Sequence, residues 1–143
     1  CKNTFFSFFN NDCFIYDDVL PFLLYLRKKN IKTGTLSDVA YGLENEYALK
    51  DIAPILKYID LPYTSNDVGF RKPNTKGLQM IAQKLSVDVG QIMFIGDEEK
   101  DIICANNAGA ISVLIDRDEK HPEFGQKYRV SNLTELKKMI KWL

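Results

Sequence analysis

Gln91-Ile92-Met93-Phe94-Ile95-Gly96-Asp97-Glu98-Glu99-Lys100-Asp101 is the stretch that decides how this chain folds. Gln91 to Ile95 is a short apolar run that ends abruptly at Gly96-Asp97, as a buried strand does when it reaches a turn. A helix over about 100–108 follows and stops at Gly109, so Asp101 falls one turn into it. Carboxylates placed this close repel each other and are easiest to keep where a cation or a hydrogen-bond network holds them. Magnesium takes a few carboxylate oxygens together with water and phosphate, which makes Asp97 and Asp101 candidate metal ligands. The plainer alternative makes Glu98, Glu99 and Asp101 a solvated helix start favoured by the helix dipole.

Outward from this stretch the chain alternates strands and helices. Ile111 to Ile115 (ISVLI) is a second buried strand. Upstream, Asp17-Asp18, an early Pro21 and the basic end Arg27-Lys28-Lys29 mark a helix over 17–29, with Asn30 as its stop. Ile31 to Leu36 reads as a strand ending at Ser37-Asp38. A helical region over 40–59 follows in two pieces, the second capped by Asp51 with Pro54 near its start. Tyr63 to Val68 is a weak strand, Asn74 to Leu85 an amphipathic helix, and Asn132 to Leu143 a final one. Short apolar strands between helices predict an α/β fold, a Rossmann-like parallel sheet with helices on both faces. Ligands of such sheets gather beyond the carboxyl ends of the strands.

Composition narrows the function classes. Lys plus Arg and Asp plus Glu number 19 each, so no net field attracts nucleic acid or an anionic membrane. No apolar run approaches the roughly 18 residues needed to span a bilayer. Three scattered cysteines, Cys1, Cys13 and Cys104, form no metal or disulfide pattern and suit a reducing cytoplasm. Cys104 reads as a buried thiol, His121 as a loop residue and Trp142 as packing.

Two further strand ends carry chemistry. In Gly69-Phe70-Arg71-Lys72-Pro73, the lysine is held extended by the proline, so that its ammonium can reach back over the strand ends and neutralise a phosphate. In Thr35-Leu36-Ser37-Asp38, a hydroxyl at a strand end can donate to a phosphoryl oxygen, although taken alone Asp38 is simply a helix N-cap.

The order of these elements, a hydroxyl, then a Lys-Pro, then strand-Gly-Asp with a second aspartate beyond, resembles motifs two, three and four of the haloacid dehalogenase (HAD)-like hydrolases over most of residues 17–117. Asp17 to Leu23 is similar to the helix leading into motif two of cap-bearing members, and Ala105 to Gly109 to the helix end after motif four. The resemblance implies a phosphomonoester phosphatase of a small metabolite that works through an aspartyl-phosphate and uses Mg²⁺. It implies that Ser37 and Asp38 bind phosphate, with Lys72 both binding it and acting catalytically. It implies Asp97 as a ligand of the metal, with Asp101 at the metal shell or supporting Lys72.

Motif one of these hydrolases is a buried strand ending in Asp-x-Asp, whose first aspartate attacks phosphorus. No such element lies upstream of Ser37, where the aromatic run Thr4 to Asp12 carries asparagines in place of carboxylates. Residues 1–16 are therefore expected to be a cap or linker remnant, and 17–143 a partial core lacking its central strand. That strand belongs between those of motifs two and four, so its absence predicts a gap about one strand wide, adding roughly 4.8 Å between its neighbours. The open position would allow self-association through unpaired strand edges. The alternative function is a non-catalytic phosphate-binding or interaction domain that has lost the nucleophile. A phospho-acceptor receiver domain is disfavoured, since its Lys-Pro follows the acceptor aspartate, whereas Lys72 precedes Asp97.

Overall fold

The computed structural model describes residues 14–140. The predicted alternation is present, with shifted boundaries. Helix α1 (Val19–Lys28) leads to strand β1 (Gly34–Ser37), helix α2 (Asn45–Lys50), a 3₁₀ turn (Ala53–Tyr58) and β2 (Leu61–Thr64). Helices α3 (Ser65–Val68) and α4 (Lys76–Leu85) precede β3 (Met93–Gly96), α5 (Glu99–Ala108), β4 (Ile111–Ile115), β5 (Tyr128–Val130) and α6 (Leu133–Ile140). Residues 1–13 and 141–143 lie outside the described residues, and with them the expected remnant segment, the expected extension of the last helix to Leu143 and the reading of Trp142.

Every strand pairing is parallel, but the strands form two sheets, β1-β2 and β3-β4-β5. Among the described residues no ladder joins β1 to β3. This is the position that the family resemblance assigns to the motif-one strand, and no described strand pairs with the inner edge of either sheet there.

The pleat of β3 builds two cores. Met93 and Ile95 face Phe22 and Leu26 of α1, Val113 of β4 and Leu133 and Leu136 of α6. Ile92 and Phe94 face the opposite layer, with Leu36 of β1, Leu78 and Ile81 of α4, and Cys104 and Ala105 of α5. Alternate residues of one strand thus feed opposite layers, which is why an unbroken apolar run serves a sheet covered on both sides. Leu78, Ile102, Leu114 and Leu136 are all but fully buried, each stabilising the fold by about 1.5–3 kcal/mol.

Several expectations are corrected. The strand expected at 63–68 is β2, which ends at Thr64. There Thr64 and Asp67 form a capping box, Asp67 Oδ2 accepting the Thr64 N–H at 2.8 Å, and the chain turns into α3. This Thr-x-x-Asp signal was readable in the sequence. The strand expected at 31–36 is β1, which begins three residues later: Asn30, in the left-handed region (φ 56°), ends the turn after α1, and 31–33 run on without strand pairing before Gly34. Asp38 does not cap the next helix, whose N-cap is Glu44, and Asp51 ends α2 instead of starting the 3₁₀ turn. Strand β5 was not foreseen, because Tyr128-Arg129-Val130 is too short for a periodic signal.

Asp18 was expected to favour the start of its own helix. Its side chain makes no cap there and instead reaches the far end of the chain, accepting from the Leu133 N–H at 2.8 Å and from both Arg117 terminal nitrogens at 3.0 and 2.9 Å. Arg117 also stacks on Tyr16, 3.8 Å from its ring centroid. Burial pushes the Asp18 carboxyl up, but the bonds from Arg117 and Leu133 and the Arg117 charge outweigh it and hold the group below the usual carboxylate value. A carboxyl lowered in the folded state stabilises above its unfolded value of about 3.9, and that stabilisation is lost as pH falls through the folded value. Asp18→Asn is therefore expected to cost about 1–2 kcal/mol at neutral pH. In urea titrations, the gap between wild type and variant should narrow below about pH 4; a pH-independent gap would refute the linkage.

Candidate active site

Lys72 stands at the centre of the site, and three separate segments aim it. Gly69 ends α3 in the left-handed conformation (φ 81°) and turns the chain back toward the strand ends. Asp38, directly after β1, then accepts the Lys72 backbone N–H on Oδ1 at 3.1 Å. The Lys72 ammonium reaches Asp101 Oδ1 at 2.8 Å in the first turn of α5, with the two side chains only 11% and 4% exposed. Of the two roles that the resemblance offers Asp101, the metal shell or Lys72, this contact is with Lys72.

Asp101 is held from two sides. Its Oδ2 accepts the Glu98 N–H at 3.1 Å, while its buried Oδ1 makes no directed hydrogen bond and is offset by the Lys72 charge alone. Gly96 makes this position possible. A Cβ built on Gly96 would fall 2.3 Å from Asp101 Cβ and 2.4 Å from its Oδ2. The strand-Gly-Asp pattern thus uses its glycine to let the helix start close on the strand end.

Asp97, next to Gly96, is exposed, and its carboxylate has no hydrogen bond or ion pair among the described residues. Ser37 is half-buried at the end of β1. Asp38 was expected to bind phosphate; its second oxygen, Oδ2, lies 3.3 Å from Lys100 Nζ, so that both of its oxygens face protein donors. Lys100 had no assigned role although it lies within the deciding stretch. Its ammonium bridges Glu98 Oε2 at 2.6 Å and Asp38. The Glu98 hydrogen bond, opposed by burial and helped by Asp38, raises its pKa above the ordinary lysine value. Lys100–Asp38 and Lys72–Asp101 together tie the ends of the two sheets to each other.

The set meets part of what a magnesium ion requires. Asp97 offers a free hard oxygen donor at a strand end, whereas Asp101 is committed to Lys72 and the Glu98 N–H. Among the described residues no three acidic, histidine or cysteine side chains converge to hold a metal, so Asp97 needs ligands from elsewhere. Cys104 lies behind the site, 0% exposed, its thiol donating to the Asn74 carbonyl at 3.4 Å. Burial, relieved by Lys72 but aided by Asp101 and Asp38, pushes it up to about 11, so it stays a thiol. His121 is exposed and offers its backbone N–H to Asp116.

A second polar cluster, unassigned from the sequence, surrounds Asp116 at the end of β4. Its carboxylate accepts the Lys120 and His121 N–H groups and the Arg129 guanidinium. Burial raises the carboxyl, and these partners overcome it to hold the group below the usual value. Its acceptors are spent within the protein, which marks it as a brace for the β4–β5 loop.

Sequence and structure comparisons agree with this geometry. The family model of haloacid dehalogenase-like hydrolases matches residues 5–109. A glyceraldehyde 3-phosphate phosphatase of Methanopyrus kandleri is 31% identical over 103 residues, covering 71% of this chain and 43% of its own. A phosphoglycolate phosphatase of Escherichia coli is 32% identical over 78 residues, covering 50% of this chain and 31% of its own. The chain thus spans less than half the length of these curated relatives. A HAD phosphatase of Thermococcus onnurineus superposes with a TM-score of 0.79 at 27% identity, over 96% of this chain and 69% of that one. A predicted phosphoglycolate phosphatase of Haemophilus somnus reaches 0.82 at 14% identity, over 96% and 63%, which speaks for the fold alone. With strand-Gly-Asp, Lys-Pro and the strand-end serine gathered at one edge, and with more than half of the chain matched, the chain belongs to the haloacid dehalogenase-like hydrolases.

Proposed function

We propose that this chain is the phosphate-holding part of a magnesium-dependent phosphomonoester phosphatase acting on a small metabolite. The observation that carries this reading is the buried Lys72–Asp101 pair at the strand ends, 2.8 Å apart. It holds a cation where a phosphoryl group carried by a strand between β1 and β3 would lie, and its pre-set orientation spares the site reorganisation during reaction. Ser37 would donate its hydroxyl to a phosphoryl oxygen. Lys72 would offset the charge of the phosphate and of its attacking carboxylate. Asp97 would be this chain's ligand to magnesium, which when bound supplies Lewis-acid polarisation and orients the phosphate.

The nucleophile would be a carboxylate borne by a strand inserted between β1 and β3. The inward edges of both sheets and the apolar layers above and below suit a short apolar strand running parallel to its neighbours. Upstream of Ser37 the sequence has no such Asp-x-Asp, and the Asp116-Arg117-Asp118 that follows β4 belongs to a strand already paired with β3 and β5, so turnover is assigned to the whole protein and binding to this part.

Two measurements test the reading. Orthophosphate at about a hundred times its Kd should stabilise the 143-residue chain by about 2.7 kcal/mol, seen as a rise of several degrees in Tm; no shift would overturn the site assignment. p-Nitrophenyl phosphate should be hydrolysed in magnesium by a form extended through the coding sequence upstream of Cys1, and no longer after Asp97→Ala. Binding without turnover in the extended form would instead favour a non-catalytic phosphate-binding domain.

A further inference from the structure

Arg71 stands beside Lys72 yet lies outside every role assigned so far. We propose that Arg71, seated on Tyr41, is a specificity-determining residue that selects phosphomonoesters whose leaving group carries a second anion, such as a carboxylate, on a short carbon chain. The inference rests on the phosphate-binding role of the neighbouring Lys72.

The geometry favours a ligand role over a structural one. The backbone here is fixed one residue away, where Asp38 holds the Lys72 N–H, so Arg71 starts from a defined place on the rim. Its guanidinium lies 5.3 Å from the centroid of Tyr41, which is 90% exposed and stands three residues after Asp38. The two segments that build the phosphate site, the turn after β1 and the loop before α4, therefore meet a second time through this pair.

Among the described residues Arg71 has no carboxylate partner, whereas Arg117 takes Asp18 and Arg129 takes both Asp116 and Glu123. Stacking on a ring restricts the guanidinium while leaving its N–H edge free, the form in which arginine grips a carboxylate with two parallel bonds. A second cation, at the start of α4, repeats the pattern against the same loop. Lys76 sits 4.3 Å above Phe70, which is 42% exposed, and it too lacks an ion-pair partner among the described residues. Lys76 opens α4, whose first turn carries no acid. A cation there works against the helix dipole, so helix stability is not what favours it. Two ring-stacked, unneutralised cations flanking Lys72 make a rim suited to an anionic leaving group and indifferent to a neutral one.

Calorimetric titration of the 143-residue chain with orthophosphate, glycerol 3-phosphate and 2-phosphoglycolate tests this. The wild type should bind 2-phosphoglycolate about tenfold more tightly than glycerol 3-phosphate, the size of one charge-assisted contact. Arg71→Gln should erase that preference, weakening 2-phosphoglycolate about tenfold more than orthophosphate, while Arg71→Lys should restore part of it. A scaffolding role would instead weaken all three ligands together. Equal losses, or an unchanged preference in Arg71→Gln, would overturn the proposal with the phosphate site intact. Failure of orthophosphate itself to bind the wild type would remove the site reading, and the proposal with it.

Discussion

Lys72→Met is expected to destabilise the folded chain by about 3–5 kcal/mol, the cost of leaving a buried carboxylate without its counter-charge. Asp101 is only 3% exposed. Its Oδ1 has no polar contact besides Lys72, and water has little access to replace the lysine. Against a total stability of about 5–15 kcal/mol, such a loss would leave the variant marginally folded. A double-mutant cycle separates the pair from its surroundings. Asp101→Asn keeps an acceptor for the Glu98 N–H but removes the charge, so the double variant Lys72→Met, Asp101→Asn should recover about 2 kcal/mol relative to the sum of the single changes. Urea midpoints at neutral pH give all four corners. Strict additivity would mean that the two groups do not depend on each other, and that Lys72 is not held by Asp101 for phosphate. The double variant should also lose the rise in Tm produced by orthophosphate, since the cation that would offset the phosphate is gone.

Gly96→Ala is the second large effect, at about 3 kcal/mol, the upper end of ordinary overpacking. The added methyl would overlap the Asp101 Cβ at 2.3 Å and its Cγ at 2.5 Å. Neither atom is the loose end of a side chain, because Asp101 is pinned by Lys72 and by the Glu98 N–H. Relief requires the first turn of α5 to lift from β3. Gly77→Ala makes a useful contrast. A Cβ there meets Leu36 Cδ2 at 2.5 Å, but this is a methyl at the end of a side chain that can rotate, so the cost should be about 1–2 kcal/mol. Denaturation of both variants under one condition checks the ranking. If Gly96→Ala is no worse than Gly77→Ala, Gly96 is not the residue that allows Asp101 its position. Because Lys72 is aimed by Asp101, Gly96→Ala should also weaken phosphate binding, whereas Gly77→Ala should not.

The sequence by itself determined the class of fold and offered the candidate residues of the site. Each of these rests on local physics: an unbroken apolar run bounded by Gly-Asp, a proline after lysine, and amphipathic spacing in 74–85 act within a few residues of themselves. The resemblance resting on Ser37, Lys72, Asp97 and Asp101 then named the family and the position of the expected gap, and the described strands divide into two sheets at that position. What the side chains do to one another was decided by the tertiary structure. Asp18 read as an acid favoured by the dipole at its helix start and Asp38 as an N-cap, because a carboxylate ahead of a helix is stabilised there by local amide groups alone. Asp18 instead accepts from Leu133, 115 positions away, and Asp38 from Lys72, 34 away. Lys100, Arg71 and Asp116 carried no local signal, since their partners come from other strands and loops. The division has a physical reason. Backbone conformation and the direction of burial answer to near neighbours, whereas the partner of a charged side chain is set by which segments the closed sheet ends bring together.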